Sequence, residues 1–180
     1  TSLLIKAADD LKIGDPLDLS SAAGAVNSAR QLEQNLAFVA EARALGRPVH
    51  GGEQLLAATG GFYMAPAIVS DVLPSDRLSR EEVFGPVLAI TPFDTDDEAL
   101  ALALANGTEF GLASAVWTSN LSRAHRMIAK LQAGVMHVNT YGGADGTVPL
   151  GGVKQSGNGH DKSLHAMDKF FDLKTAWIAL

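Results

Sequence analysis

The chain has 180 residues, of which 47% are apolar and 19% are charged, and it carries a net charge of −6 at neutral pH. This composition is typical of a globular protein with a hydrophobic core and excludes a disordered chain. The negative charge disfavours nucleic acid as a partner. The sequence contains no run of about 18 apolar residues, so it does not indicate a membrane span. Cysteine is absent, which excludes disulfides, thiolate zinc sites and a cysteine nucleophile within these residues.

Helical and strand patterns alternate along the chain, which predicts an α/β fold. The predicted helices cover residues 3–11, 25–45, 95–106, 121–132 and 163–171, and the predicted strands cover residues 47–50, 62–72, 86–91, 112–118, 134–139 and 174–180. Residues 95–98 have the form of a capping box, and Gly46 stands where a C-cap glycine ends a helix. Pro66 predicts an edge position or an irregular strand. The short apolar segment 86–91, bounded by Gly85 and Pro92, is the clearest candidate for a buried strand.

The glycine-rich segment 141–159 invites comparison with a phosphate-binding loop. It has two of the three glycines of a dinucleotide motif, and Lys154 is not followed by Ser or Thr as in a P-loop. We therefore expect an irregular loop of the kind that shapes a substrate pocket.

No group of residues predicts a metal site. His160 and His165 are five residues apart, whereas two imidazoles on one helical face are four apart. Asp94, Asp96 and Asp97 lack the alternating pattern and central glycine of a calcium loop, so helix capping explains them better.

Two acids, an aromatic residue and a Gly-Pro turn stand directly before the strand predicted at 86–91. A carboxylate accepts two hydrogen bonds, which suits the vicinal hydroxyls of a ribose. Phe84 would add an aromatic wall beside it. The alternative is an ordinary charge at a turn or a helix end.

Residues 81–87 (Glu-Glu-Val-Phe-Gly-Pro-Val) resemble a signature of the NAD(P)-dependent aldehyde dehydrogenase superfamily. Further segments agree with that family in order and spacing, and together they cover essentially the whole chain: residues 11–18, 106–117, 138–141 and 149–157. The stretch from Lys154 to Thr175 is similar to the γ-glutamyl-γ-aminobutyraldehyde dehydrogenases of putrescine breakdown.

The resemblance implies an incomplete aldehyde dehydrogenase catalytic-domain fold, a parallel-sheet core with flanking helices, at residues 1–171. It implies an oligomerisation strand at residues 172–180, of which 174–180 would extend a sheet of another subunit, so that we expect a homo-oligomer. In this family a cysteine thiolate attacks the aldehyde, hydride passes to nicotinamide, and water activated by a glutamate releases the acid. The cysteine, the general base and the oxyanion-binding asparagine lie upstream of the region that this chain resembles. We therefore expect no catalytic residue in the chain and no activity from the chain alone.

The resemblance also assigns binding residues. Glu82 corresponds to the glutamate that holds the ribose on the nicotinamide side of NAD or NADP, and Phe84 to the aromatic residue that packs beside it. Ala144 and Leu150 correspond to the late loop that lines the aldehyde tunnel. Asp145 is a candidate partner for an ammonium group of the substrate, with a solvated loop aspartate as the alternative.

Three residues depart from the family pattern, which commonly has Phe at Leu150, Tyr at Val153 and Arg at His160. These departures concern the shape of the aldehyde pocket. We expect a cytoplasmic enzyme that oxidises an amino- or γ-glutamylamino-aldehyde. The alternatives are a betaine-aldehyde or semialdehyde dehydrogenase and, from another class, an inactive scaffold that docks through its terminal strand.

Overall fold

The computed structural model describes residues 1–94, 97–143 and 145–180. The chain divides into two compact units, Thr1–Asp97 and Glu98–Leu180. The α-helices of the described residues are α1 (Ser2–Asp9), α2 (Ala29–Ala44), α3 (Glu98–Asn106) and α4 (Leu121–Lys130). The strands are β1 (Val49–Gly51), β2 (Gln54–Leu55), β3 (Tyr63–Met64), β4 (Ala67–Val69), β5 (Val87–Ala89), β6 (Ala113–Val116) and β7 (Val135–Val138). Thr95 and Asp96 of the predicted capping box lie outside the described residues.

Helix α2 supplies one side of the core of the first unit. It begins at Ala29, later than the apolar pattern predicts, because the Ser28 side chain accepts a hydrogen bond from the main-chain N–H of Gln31 (3.2 Å) and so caps the helix there. Gly46 has the left-handed conformation (φ +73°) predicted for a C-cap glycine. Buried residues of α2, of the strands and of the segment after β4 form two apolar clusters, one of Leu32, Val39, Met64 and Ala67 and one of Ala42, Val69 and Val72.

Strand β4 lies at the centre of a three-stranded sheet with the order β1-β4-β5. It is parallel to β5 and antiparallel to β1, so the sheet of this unit is mixed. The edge position predicted from Pro66 is therefore wrong. The alternative, an irregular strand, is confirmed because the segment 62–72 divides into β3 and β4. Pro66 precedes the first paired residue of β4, where its missing N–H interrupts no ladder hydrogen bond.

The burial predicted for the segment 86–91 is wrong. Its central part, β5, is the edge strand of the sheet, and Leu88 is 44% exposed. The apolar composition and the flanking turns locate a strand correctly. They carry no information about how many neighbours that strand has.

In the second unit, β6 and β7 form a parallel pair and α4 connects them. This β-α-β arrangement is the unit expected of an α/β fold. The Asn106 side chain joins the ends of α3 and α4: its amide nitrogen donates to the carbonyl of Lys130 (3.0 Å), and its oxygen accepts from the N–H of Gln132 (2.8 Å). Helix α3 ends at Asn106, as predicted.

The predicted terminal strand is not formed within the chain. Residues 171–180 belong to no helix or strand, and the side chains of Leu173, Trp177 and Ile178 are exposed. A strand requires a neighbouring ladder, and none of the described residues supplies one. Pairing of residues 174–180 with another subunit and the domain boundary between residues 171 and 172 stay predictions. The preceding helix predicted at 163–171 is a 3₁₀-helix, Leu164–Phe170.

Glu98 links the start of α3 to α4, because it accepts hydrogen bonds from the guanidinium groups of Arg126 (2.6 and 2.9 Å) and Arg123 (2.8 Å). These bonds lower the pKa of Glu98 from 4.5 to about 2. Since the folded-state pKa is depressed, the stabilisation is complete above pH 4.5 and is lost as the pH falls towards 2.

We therefore expect Glu98→Gln to lower the melting temperature at neutral pH, with a difference from the wild type that shrinks between pH 4.5 and pH 2. Thermal unfolding across this pH range measures the effect. The matched control is Glu109→Gln, because Glu109 is an exposed acid of the same unit. A difference from the wild type that is constant across the pH range would contradict the role assigned to Glu98.

Candidate functional site

A loop at residues 81–86 precedes β5 and carries the two predicted cofactor-binding residues. Val83 is buried at 8% exposure, and its two neighbours, Glu82 and Phe84, are both exposed. The main-chain N–H of Ala67 in β4 donates to the carbonyl of Pro86 (2.8 Å), which fixes the end of the loop against the sheet. Glu82 and Phe84 thus lie, both exposed, on one loop of the first unit whose end is fixed to the sheet.

The two adjacent acids of this loop have different surroundings. Glu81 accepts a hydrogen bond from Arg77 (2.8 Å), whose guanidinium also lies 3.6 Å from Glu41 and 4.0 Å from the centroid of the Phe38 ring. Glu82 makes no hydrogen bond or ion pair with the residues that the structure describes. The side chain of Glu82 is therefore the acid of this loop that is available to accept hydrogen bonds from a ligand.

Phe84 adopts a backbone conformation that is uncommon for its residue type. Its φ is +57°, in the left-handed region, and its side chain is 71% exposed. Conformations of this kind persist where the surrounding structure holds them, and they cluster at ligand-binding sites. An aromatic ring presented to solvent in this way is suited to pack against a planar or sugar group.

Two residues of α2 that contact this loop were not identified from the sequence. The Gln31 amide nitrogen donates to the carbonyl of Val83 (2.9 Å) and to the side-chain oxygen of Asn35 (2.8 Å). Asn35 is completely buried and lies against Gly85. The sequence contains one signal for Asn35. It is a polar residue three positions after Leu32 and therefore lies on the apolar face of the predicted helix.

In the second unit, the side chains of Lys154 and Ser156 attach the glycine-rich loop to residues at and after the end of α3. The Lys154 ammonium donates to the carbonyls of Asn106 (2.9 Å) and Thr108 (3.0 Å) at the end of α3. The Ser156 hydroxyl accepts from the N–H of Gly111 (2.9 Å). Lys154 thus satisfies carbonyls that a helix end leaves without partners, which is a structural role.

Two of the three predicted substrate-pocket residues, Asp145 and Leu150, lie on the same loop. Leu150 exchanges two main-chain hydrogen bonds with Asp161 (2.8 and 2.6 Å) and its side chain is partly exposed. Asp145 is exposed, and its Oδ1 accepts hydrogen bonds from the N–H and the hydroxyl of Thr147 (both 2.8 Å). These bonds, the main-chain one first, lower the pKa of Asp145, so that the carboxylate is charged at neutral pH. Ala144 lies outside the described residues.

Val153 and His160, two of the three residues that depart from the family pattern, each contact other residues of the second unit. The main-chain N–H of Val153 donates to the carbonyl of Gly111 (3.0 Å), and the His160 ring packs against Gly151. The loop is therefore bonded at Val153 through its backbone, and at His160 the ring lies beside the backbone of Gly151.

Neither a metal centre nor a membrane helix is found among the residues that the structure describes. The part of the chain that the structure describes holds no group of three or more His, Asp or Glu side chains placed to ligate a metal. Within the same residues, no helix is long and apolar enough to cross a membrane.

Comparison with known proteins agrees with the motifs. Residues 1–176 match the model of the Aldehyde dehydrogenase family. The chain is 46% identical over 181 residues to the NADP/NAD-dependent aldehyde dehydrogenase PuuC of Escherichia coli (strain K12), covering 99% of this chain and 35% of that protein. It is 42% identical over 178 residues to a betaine aldehyde dehydrogenase of Cereibacter sphaeroides (strain ATCC 17029 / ATH 2.4.9), covering 98% of this chain and 36% of the relative.

Two solved structures are similar in fold. One is a mutant of the P. syringae indole-3-acetaldehyde dehydrogenase AldA in complex with NAD+ and IAA, with a TM-score of 0.92 and 46% identity. The other is the aldehyde dehydrogenase KauB of Pseudomonas aeruginosa, with a TM-score of 0.93 and 44% identity. Each match covers 99% of this chain and 36% of the solved chain, so the present chain spans about a third of the length of its relatives. The chain belongs to the aldehyde dehydrogenase family.

Proposed function

We propose that this chain is the C-terminal portion of an NAD(P)-dependent aldehyde dehydrogenase that oxidises an aldehyde to the carboxylic acid. The family match and the NAD+ complex of a similar structure support this proposal. The observation that carries it for this chain is the contrast between Glu81, which Arg77 holds, and Glu82, which no described residue holds.

The part of this chain is to bind and orient the cofactor. When bound, NAD or NADP accepts the hydride that leaves the substrate. Glu82 offers two carboxylate oxygens to vicinal ribose hydroxyls, and Phe84 offers an exposed ring beside them. The hydrogen bonds to the carbonyls of Val83 and Pro86 anchor the backbone that carries both side chains, which limits the freedom of the cofactor that they bind. The cysteine and the general base belong to the remainder of the complete protein.

For the substrate, we propose an amino- or γ-glutamylamino-aldehyde. The similarity to PuuC supports this class, and the charged, exposed carboxylate of Asp145 can attract an ammonium group. Betaine aldehyde is the second candidate, because a relative at 42% identity is named as a betaine aldehyde dehydrogenase. Ratios of kcat/KM for the two aldehydes, measured on the complete protein, decide between them.

The test of the cofactor role is Glu82→Gln in the complete protein. We expect the pre-steady-state rate of NADH formation to fall by about 10- to 100-fold, because the amide keeps the size of the side chain but weakens its hydrogen bonds to ribose and misplaces the hydride acceptor. Stopped-flow absorbance measures this rate. We expect the KM for the aldehyde to change much less.

The matched control is Glu81→Gln, which makes the same change one residue earlier, at the acid paired with Arg77. We expect it to leave NADH formation within about twofold of the wild-type rate, since exposed ion pairs contribute little. Equal rates for Glu82→Gln and the wild type would show that Glu82 does not orient the cofactor.

A further inference from the structure

Asn35 is a buried amide among the apolar core residues of helix α2. It is 0% exposed, and its helical neighbours Leu32, Phe38 and Val39 are all buried core residues. A buried amide is costly unless it is hydrogen-bonded, whereas an apolar side chain of the same size has no such requirement. Its hydrogen bonds therefore indicate what the residue does.

These hydrogen bonds lead to the loop that carries Glu82 and Phe84. The Gln31 amide nitrogen bridges the Asn35 oxygen (2.8 Å) and the carbonyl of Val83 (2.9 Å). With the Asn35 amide turned over, its nitrogen instead donates to the carbonyls of Val83 and Gln31 (both 3.1 Å), and the bond from the Gln31 side chain to Asn35 is not made. In both orientations this pair on α2 donates to the carbonyl of Val83, the residue between Glu82 and Phe84.

Gly85, the residue after Phe84, also lies against Asn35. A Cβ atom added to Gly85 would lie 2.0 Å from the Asn35 amide nitrogen and 2.4 Å from its Cγ, so only glycine allows this approach. The residues before and after Phe84 are thus both in contact with the α2 pair. This contact explains how the loop keeps Phe84 at φ +57°, a conformation that persists only where the surroundings enforce it.

We propose that Gln31 and Asn35 are positioning residues, which act through the Val83–Gly85 backbone to set the placement of Glu82 and Phe84 and, with it, the affinity for the cofactor and the rate of hydride transfer. This inference rests on the proposed function, because it gives the loop a cofactor to hold. It differs from a role in folding alone, which would change the stability of the protein and leave cofactor affinity and hydride transfer as they are.

The test uses near-isosteric apolar replacements, Gln31→Met and Asn35→Leu, in the complete protein. We expect each to weaken NAD binding, measured by isothermal titration calorimetry, and to slow single-turnover NADH formation by about tenfold, with the KM for the aldehyde within about twofold of the wild type. Gln31 is only partly buried, so Gln31→Met provides the result if Asn35→Leu does not fold. The control Gln132→Met makes the same chemical change at an exposed position, and we expect it to have no effect on either measurement.

A double-mutant cycle tests whether the pair acts through the loop. In the Glu82→Gln background, we expect Gln31→Met to slow hydride transfer by clearly less than the tenfold expected in the wild-type background, because the Glu82 contact that it positions is already weakened. A full additional tenfold loss would overturn the inference. A lower melting temperature with unchanged NAD affinity and unchanged hydride transfer in the single variants would overturn it as well.

The same set of proteins separates the two proposals. If Glu82→Gln slows hydride transfer while Gln31→Met and Asn35→Leu do not, the loop binds the cofactor and only the positioning role is wrong. If Glu82→Gln has no effect, the proposed cofactor role of the loop is wrong, and the positioning role falls with it.

Discussion

The 180-residue chain by itself is expected to form no NADH when it is mixed with NAD and an aldehyde. Oxidation in this family begins with attack by a cysteine thiolate, and the chain has no cysteine. Serine and threonine hydroxyls do not replace it, because a hydroxyl is a weak nucleophile without an adjacent general base. The expected result is therefore loss of all turnover, measured as the absorbance of NADH over time.

The complete protein, assayed with the same aldehyde and at the same molar concentration, is the positive control. It is expected to produce NADH under conditions in which the 180-residue chain does not. Turnover by the purified chain, above the rate of a sample without protein, would mean that its own residues perform the chemistry and that the family mechanism does not apply to it.

Gly134→Ala is expected to have the largest effect on stability among the substitutions considered. A Cβ atom at this position would lie 1.8 Å from the carbonyl oxygen of Gly151 and 2.8 Å from its carbon, so the clash is with backbone and no side chain can turn away. Relief requires that the glycine-rich loop move away from the start of β7. We expect a loss of about 3 kcal/mol or more in the free energy of unfolding and a fall of about 10 °C in melting temperature.

Gly146→Ala is the matched control in the same unit. An added Cβ at Gly146 meets nothing within 4 Å, and the residue has no positive φ. We expect its melting temperature to stay within about 2 °C of the wild type, since substitutions in open space have small effects. Thermal unfolding followed by circular dichroism compares the two variants. Equal melting temperatures for both would show that the close approach of Gly134 to Gly151 is not required.

Local patterns in the sequence predicted the helices well. The end of α3 at Asn106 and the left-handed Gly46 after α2 follow from a periodic apolar stripe and a terminating glycine, which act within a few residues. The predicted start of α2 is four residues too early. The apolar pattern begins before Ser28, but the capping hydrogen bond of Ser28 makes the helix start after that residue. Each of these features depends on neighbours in the chain.

The predicted strands show where local patterns are insufficient. The segments at 62–72 and 86–91 are both apolar, yet β4 is buried at the centre of its sheet and β5 is partly exposed at the edge. The segment 174–180 has a strand pattern but no neighbour within the chain. The number of neighbours of a strand depends on residues far away in sequence, and composition does not record it.

The candidate site likewise has features that the sequence predicted and features that only the structure shows. The motif at 81–87 was sufficient to select Glu82 and Phe84, because the resemblance rests on residue types in a fixed order. The sequence could not distinguish Glu81 from Glu82 by their partners, since this depends on the Arg77 guanidinium. Nor could it connect Gln31 with Val83, which are 52 residues apart and meet only after α2 packs beside the loop.

The amino-acid sequence by itself determined the α/β class, the family, the loop that carries the two candidate cofactor ligands and the lack of a thiol nucleophile. These properties depend on residue identity and short-range order, which the sequence states directly. Only the tertiary structure decided which strand is central, which of two neighbouring carboxylates is available and which buried amide lies beneath the loop. The physical reason is that burial, strand pairing and side-chain hydrogen bonds join residues distant in sequence, and their free energies depend on packing that no local pattern contains.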